Sequence, residues 1–358
     1  MFQGIDHIEF YVGNALATAY FYTNALGFRP LAESGLETGA RDRQSFVVTQ
    51  GEIRLVFTNA LDPQSPIADS VRLHGDAIHD IAIQVDDVDR AFQHCLEQGA
   101  RAIAGPATSE DADGVVRRAT IATFGDTVHS LVQRNEYRGP FLPGYRPRSG
   151  RAGAPIEERG HLCAVDHIAC CVDRGTLTDW VGFYQRVFGF SEVHHEDVVT
   201  ERSAMNSRVV GSANGRIKVP LMEPAPARGR SQIEEFLDYH HGGGAQHLAF
   251  LSEDIRAAVR ALQAGGLEFL ETPATYYDTL AARVGTIDES FADLAALNIL
   301  ADRDRWGYLL QVFTRPVTGR PTAFLEVVQR HGARGFGGGN VRALFEAVER
   351  AQAARGNL

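Results

Sequence analysis

The sequence is short of cysteine, with four in 358 residues: Cys95, Cys163, Cys170 and Cys171. So few, so irregularly spaced, exclude a disulfide framework or a paired C-x-x-C zinc site, and reduced, buried thiols are expected instead. Positive charge is scarce too, with 35 Lys and Arg against 45 Asp and Glu and a net charge of −10. That balance argues against polyanion partners, so neither nucleic acid nor a membrane surface is expected, and a small molecule is the default partner. Also missing are apolar runs near the ~18 residues of a membrane span, and the start MFQGIDHIEFYVGN has no basic stretch leading into an apolar one. Neither secretion nor a span is expected, and the expected compartment is the cytoplasm. What is there is ordinary globular composition, 44% apolar and 22% charged. The length suits about two to three domains. The generous supply is histidine, 13 in all.

The chain repeats itself at two levels, and a repeated unit fixes architecture before local propensity does. Asp6-His7-Ile8 leads into a helical pattern (Leu16, Ala19, Tyr20, Thr23) ending at Leu26-Gly27-Phe28. Asp166-His167-Ile168 leads likewise into Leu177, Trp180, Val181 and Tyr184, ending at Phe188-Gly189-Phe190. A second pair also matches: His79-Asp80-Ile81-Ala82 before Val88, Ala91, Phe92, Cys95 and Leu96, and Gln246-His247-Leu248-Ala249 before Ile255, Ala258, Val259 and Leu262. Their i, i+3, i+4, i+7 spacing is that of a helix laid on a sheet. Strand-like runs follow, 117–123 and 128–132 in one half and 267–270, 308–313 and 324–328 in the other. The unit reads as strand, helix, three strands (βαβββ), two units to a half and two halves to the chain, an α+β fold. Pro140, Pro143, Pro147 and Pro155 among glycines and arginines suit an extended linker, which sets the halves at 1–150 and 151–358.

Aligning the halves puts His7 on His167, Asp80 on His247 and Ser130 on Glu326, so only the second half offers His, His and Glu at equivalent strand positions. Two imidazoles and one carboxylate on one face leave coordination positions open, the facial set of non-haem Fe(II) oxygenases and one that catalytic zinc also accepts. Neighbouring strand residues point to opposite faces, so the pairs His194/His195 and His240/His241 are expected on the surface or in loops. Cys170 and Cys171 read as packing residues. The C-terminal segment reads as a helix capped by Asn340, with Val341, Leu344, Phe345 and Val348 on one face and a Glu346/Arg350 pair outside. The glycine-rich stretch before it lacks the G-x-x-x-x-G-K pattern of a phosphate loop and reads as the hinge of a lid.

Further stretches carry a family likeness: SAMNS around Ser207, KVPLMEPA (218–225), SQIEEFLDY (231–239), GAQHLAF (244–250), TPATYYDTL (272–280), ILADRDRWGYLLQVFTRP (299–316) and FLEVVQRHGARGFGGGN (324–340). They resemble the vicinal oxygen chelate superfamily and, within it, the family of 4-hydroxyphenylpyruvate dioxygenase and 4-hydroxymandelate synthase. The resemblance covers nearly the whole chain and is most specific from Asp166 onward. It implies the vicinal oxygen chelate fold, four βαβββ modules in two pseudo-symmetric halves, with the C-terminal helix closing the active half. It also implies Fe(II) held by His167, His247 and Glu326, with the open positions taking the 2-oxo acid end of 4-hydroxyphenylpyruvate and dioxygen. Around the substrate it places Ser207, Pro220, Met222, Gln232, Gln246, Gln311, Phe336, Asn340 and Val341, with no catalytic group beyond the metal ligands. The first half is then metal-free, supporting the fold and the contact of an expected homodimer.

The sister activities of this family share substrate, metal and decarboxylation, then part. Ring oxidation with side-chain migration gives homogentisate; benzylic hydroxylation gives 4-hydroxymandelate. Ring-oxidising members usually carry Asn where this chain has Met222 and Phe where it has Val341, so this aliphatic pair resembles the synthases, as do residues 166–172 and 204–207. Pro220 and the ending RAQAARGNL resemble the dioxygenases. Benzylic hydroxylation is the expectation, homogentisate formation the alternative, and a non-catalytic binding protein of the same superfamily a weaker one. Extradiol ring cleavage or a zinc or nickel isomerase would use a similar triad, but the glutamines and the C-terminal segment match the keto-acid enzymes.

Overall fold

The computed structural model describes residues 1–148, 161–200 and 202–356. Alternation of apolar residues makes the leading strand of each module, and an amphipathic helix follows that buries one stripe on the sheet it came from. The first module is β1 (Phe2–Tyr11), α1 (Ala15–Ala25), β2 (Arg29–Ser34), β3 (Arg43–Gln50) and β4 (Ile53–Ala60). A connecting helix, α2 (Pro66–His74), leads to β5 (Ala77–Val85), α3 (Val88–Glu97), β6 (Ala102–Asp111), β7 (Gly114–Ala122) and β8 (Val128–Gln133), with a short β9 (Arg146–Pro147) after it. The third module is β10 (Ala164–Cys171), α4 (Leu177–Phe188), β11 (Ser191–Val199), β12 (Ala204–Gly211) and β13 (Lys218–Pro224). After α5 (Gln232–His240) come β14 (Gly244–Leu251) and α6 (Ile255–Ala264), then three short helices, α7 (Ala274–Asp278), α8 (Leu280–Val284) and α9 (Phe291–Ala296). The chain closes with β15 (Leu300–Asp304), β16 (Gly307–Phe313), β17 (Phe324–His331) and α10 (Gly338–Ala354).

In every module the first strand runs parallel to the last, and the leading strands of the two modules in a half lie antiparallel, β1 on β5 and β10 on β14. Two sheets result, β6-β7-β8-β5-β1-β4-β3-β2-β9 and β11-β12-β13-β10-β14-β17-β16-β15. One apolar core runs through both halves, joining Tyr22, Phe28 and Ile81 to Tyr184, Phe188 and Phe250. The second sheet turns its other face toward α10, and there a smaller cluster gathers Ala169, Cys171, Met205, Met222, Phe236 and Phe345.

Several local expectations are corrected. Helix α1 buries Ala15, Ala19, Tyr22 and Ala25 and leaves Leu16 and Tyr20 exposed. The small alanines let its axis approach the sheet, and Tyr22 reaches in to pack against Phe10, Phe28 and Phe57. Residues 267–270 make a single bridge, Phe269 to Thr314, because Pro273 turns the chain into α7 and the edge position goes to β15. The expected linker is packed as far as residue 148: Tyr137 and Phe141 give it an apolar side and are buried, and β9 pairs with β2. The division between residues 150 and 151 lies outside the described residues. Among the described residues no helix is long and apolar enough to cross a membrane.

Candidate metal centre

His167, His247 and Glu326 stand on β10, β14 and β17, adjacent strands at the middle of the second sheet. His167 lies across from Ala249, which lies across from Glu326, and His247 lies across from Ala169. Period-two alternation therefore gives all three the same face, with buried alanines between them that leave the space open. Their ligand atoms lie within 4.8 Å of one another, a group found nowhere else among the described residues. Glu326 Oε2 is 3.1 Å from His167 Nε2 and 3.5 Å from His247 Nε2.

Alternation is broken at two points, and both breaks serve the site. One extra residue on β10, Asp166, sits between the pairs Val165–Phe250 and His167–Ala249; one extra residue on β14, Gln246, sits between His247–Ala169 and Ala245–Cys170. Each is a β-bulge, which re-aims side chains that would otherwise face away. Asp166 consequently accepts the His167 Nδ1–H at 2.8 Å, leaving Nε2 as the free ligand nitrogen, and Gln246 faces the same cleft as His247. Arg330 donates to both Asp166 oxygens, at 2.7 and 2.8 Å, and Lys218 reaches the same carboxylate at 3.2 Å. Burial alone would raise the Asp166 pKa; Arg330 and His167 outweigh it and hold the carboxyl well below its ordinary range.

Burial likewise works to raise Glu326, but the two imidazoles beside it bring the pKa down to about 2. For His167 burial pulls down and the carboxylates of Glu326 and Asp166 prevail, so its pKa is raised, whereas for His247 burial prevails and its pKa is lowered. An ionised carboxylate and two convergent imidazole nitrogens are the donors a divalent transition metal takes. The residues present fit the metal.

The cleft in front of the triad is about 50 Å³. Ser207, Pro220, Met222, Gln232, Gln246, Gln311, Phe336 and Val341 all line it. Gln232 opens α5 behind the capping box of Ser231 and Glu234, and its Oε1 is buried without a partner. Gln311 spends both ends of its amide, donating to Glu326 Oε1 at 2.9 Å and accepting from Asn340 Nδ2 at 2.8 Å. Asn340 is fully buried behind the cleft wall and does not cap α10, whose N-cap is Gly337; its Oδ1 accepts from the Tyr276 hydroxyl at 2.7 Å. Glu346 pairs with Arg342, not Arg350, whose guanidinium reaches the Glu271 carbonyl instead.

Two histidines depart from the surface or loop positions expected of their pairs. His194 lines the cleft together with Glu196, 3.3 Å from it, because after a bulge at Val193 the two lie across from Val209 and Ser207 of the lining, while His195 is exposed. His240 is buried at the seam between the halves, stacked on His74 and Phe236, since α5 ends there under α2. Sequence reasoning also missed Met205, Val209, Phe313 and Leu344 in the lining; their apolar character gave no chemical signal.

In the first half His7 and Asp80 are buried, but Asp80 accepts the Ser130 backbone N–H at 2.9 Å and the His7 ring meets the edge of Phe141. The space that would face a metal is occupied by the segment after β8.

Residues 4–130 and 164–312 match the Glyoxalase/Bleomycin resistance protein/Dioxygenase superfamily. The chain is 42% identical over 370 residues to the 4-hydroxyphenylpyruvate dioxygenase of Yarrowia lipolytica, covering 100% of this chain and 94% of that one. It is 41% identical over 367 residues to the enzyme of the same name from Danio rerio, covering 100% and 92%. A triple mutant of 4-hydroxymandelate synthase from Streptomyces coelicolor has the same fold with a TM-score of 0.89 at 40% identity, over 98% of this chain and 100% of that one. Kinship along the entire length, with a superfamily match in both halves, means that the chain belongs to the dioxygenase family of 4-hydroxyphenylpyruvate dioxygenase and 4-hydroxymandelate synthase.

Proposed function

We propose that this protein is a non-haem Fe(II) dioxygenase that oxidatively decarboxylates 4-hydroxyphenylpyruvate with dioxygen and hydroxylates its benzylic carbon, giving 4-hydroxymandelate and carbon dioxide. Relatives named for that substrate support the first part, and the convergent His167, His247 and Glu326 support the metal. The observation that carries the product is the wall of the cleft. Met222 and Val341 both line it beside Met205 and Leu344, so position 222 offers no amide to hold the phenol and position 341 no ring to fix the aryl plane.

Fe(II) in this site supplies chelation of the 2-oxo acid and activation of dioxygen. The chain supplies position and exclusion of water. Gln311 holds Glu326 in its ligating orientation, Asp166 holds His167, and Gln232 presents an unsatisfied amide oxygen that can accept from the substrate's phenol hydroxyl. Helix α10 lays Val341 and Leu344 along the cleft, narrowing the access of solvent to it. With a pliable thioether at 222 and a small branched side chain at 341, neither an amide nor an aromatic wall fixes the aryl group, and the ring turns until the benzylic carbon faces the metal. The first half, which lacks the ligand set, serves in this reading as support and as the homodimer contact; an intact chain that sediments as a monomer removes the latter.

The test is anaerobic loading with Fe(II), then oxygen and 4-hydroxyphenylpyruvate, with product identified by chromatography or NMR, since the two products are isomers. Homogentisate as sole product overturns the product assignment, and is the second reading, favoured by Pro220 in the lining and by the names of the curated relatives. Protein that binds no iron and consumes no oxygen overturns the oxygenase. Met222→Asn with Val341→Phe is expected to move the product ratio toward homogentisate; an unchanged ratio removes the steering role of these two side chains.

A further inference from the structure

Outside the metal cleft lies a second, wider cleft of about 720 Å³, and the two share Phe336 and His194 as a common wall. Phe336 packs its ring 5.1 Å from that of His167 and 5.8 Å from that of His194, so a single aromatic side chain separates the outer cleft from a metal ligand. The inner space, at about 50 Å³, is well below the ~150 Å³ that accommodates a benzene ring, so an arylpyruvate enters only when this wall or α10 moves.

The outer cleft has the opposite electrostatic character to the molecule. Arg303 and Arg334 line it against one carboxylate, Asp304, in a chain of net charge −10, while Lys218, also in the lining, is already paired with Asp166. Asp304 is already spent on backbone N–H groups, those of Trp306, Gly307, Arg334 and Gly335, at 2.7 to 3.0 Å. Arg303 donates to the carbonyls of Val284 and Thr286, which leave its charge uncompensated. Arg334 lies over the Trp306 ring at 5.2 Å, with Arg305 over the same ring at 4.0 Å, and among the described residues neither Arg303 nor Arg334 forms an ion pair. Trp306 is 45% exposed, a large apolar surface in a cationic setting. Cations with unused charge, an exposed indole and a one-ring partition from the metal are the features that recognise an aromatic carboxylate.

We propose that this outer cleft is a capture site for an arylcarboxylate anion, its carboxylate held by Arg303 and Arg334 and its ring against Trp306, from which the substrate passes the Phe336 wall to the metal. The proposal rests on the reading above that the substrate is an arylpyruvate. It assigns to the outer cleft concentration of the anion at the door and none of the chemistry, so its loss appears in kcat/KM and not in kcat.

The chain has two tryptophans, and Trp180→Phe leaves Trp306 as the reporter. Metal-free, anaerobic Trp180→Phe protein is titrated with 4-hydroxyphenylacetate, which has the ring and the carboxylate but no adjacent keto oxygen for chelation. A saturable change in indole emission is expected, weakened by salt and by at least about tenfold when Arg303→Ala and Arg334→Ala are added, the worth of a lost charge-assisted contact. Sodium acetate should reproduce little of it. In the iron-loaded enzyme the double arginine variant should lose kcat/KM for 4-hydroxyphenylpyruvate while keeping kcat and metal affinity. No saturable response, a response undiminished in the double variant, or an equal response to acetate overturns the capture site. Because binding is read without metal or oxygen, a protein that captures the arylcarboxylate yet consumes no oxygen refutes the oxygenase and leaves the capture site standing.

Discussion

Gln311 shows how much of the site is orientation. Both ends of its amide are committed, one to the Glu326 carboxylate and the other to Asn340, and the function proposed above gives it the aiming of a ligand as its task. Gln311→Leu should therefore weaken Fe(II) or Co(II) binding by roughly 10- to 100-fold, the usual range for partners that orient metal ligands, as read by anaerobic calorimetry. Gln232→Leu, which removes an amide with a free oxygen in the cleft, should raise KM and leave metal affinity where it was; a fall in metal affinity would reverse the two roles. The convergence of the three candidate ligands was legible because the halves could be laid over each other and only one kept His, His and Glu. The partners Asp166 and Gln246 were readable as residue types but not in their direction, since period-two alternation turns them away and only a bulge brings them back. His194 escaped for the converse reason: alternation says that one of the pair faces inward, and nothing in the sequence says which.

At the scale of elements, α10 is tied to the metal site by a directed chain of hydrogen bonds, from the Tyr276 hydroxyl in α7 to Asn340, to Gln311, to Glu326. Gly337, at the helix start, has φ +71°, and a Cβ there would stand 2.9 Å from Gln311 Oε1, so the glycine run is required for close approach as well as for turning the chain. Tyr276→Phe removes a hydroxyl that serves both Asn340 and the Ala301 backbone, so it loosens the helix and its anchor on β15 together, by about 1 kcal/mol for each neutral hydrogen bond lost. Faster amide hydrogen exchange along α10 and oxygen consumption in excess of product are the expected results; protection and coupling equal to the parent's would show that the helix is seated without it. The helix itself was legible from Val341, Leu344, Phe345 and Val348. Its cap was not, because Asn340 is a good capping residue by type and only tertiary contact gives its amide a better use. The strand after α6 was misplaced for a related reason: residues 267–270 have strand composition, but an insertion of three short helices hands the edge to β15.

Across the whole molecule, the two halves meet at a seam where His240 stacks on His74 and Phe236, His74 donates to the His240 carbonyl at 2.6 Å and faces Asp126, and Arg320 from the second half donates to carbonyls of Arg72 and Leu73 in the first. Burial, and after it the neighbouring His74, lowers His240 to a pKa of about 4. In the unfolded chain it titrates near its ordinary ~6.5, so below that pH the unfolded state takes up a proton that the folded state refuses. Stability should thus be level in this respect above pH ~6.5 and fall by roughly 3 kcal/mol on the way to pH ~4. Urea unfolding at a series of pH values should show that segment of the slope flattened in His240→Gln; an unaltered slope would assign the loss to other groups. The modular plan was legible because repeated words in the sequence mark it. The seam was not, since contacts between repeats leave no periodic trace. The bulges go further than the plan. Asp6 and His79 interrupt β1 and β5 at the positions where Asp166 and Gln246 interrupt β10 and β14, and Arg134 grips Asp6 as Arg330 grips Asp166. With the same bulges and the same arginine clamp in both halves, what sets the candidate metal half apart is the side chains at 247 and 326, where the first half has Asp80 and Ser130, and not the course of the backbone beneath them.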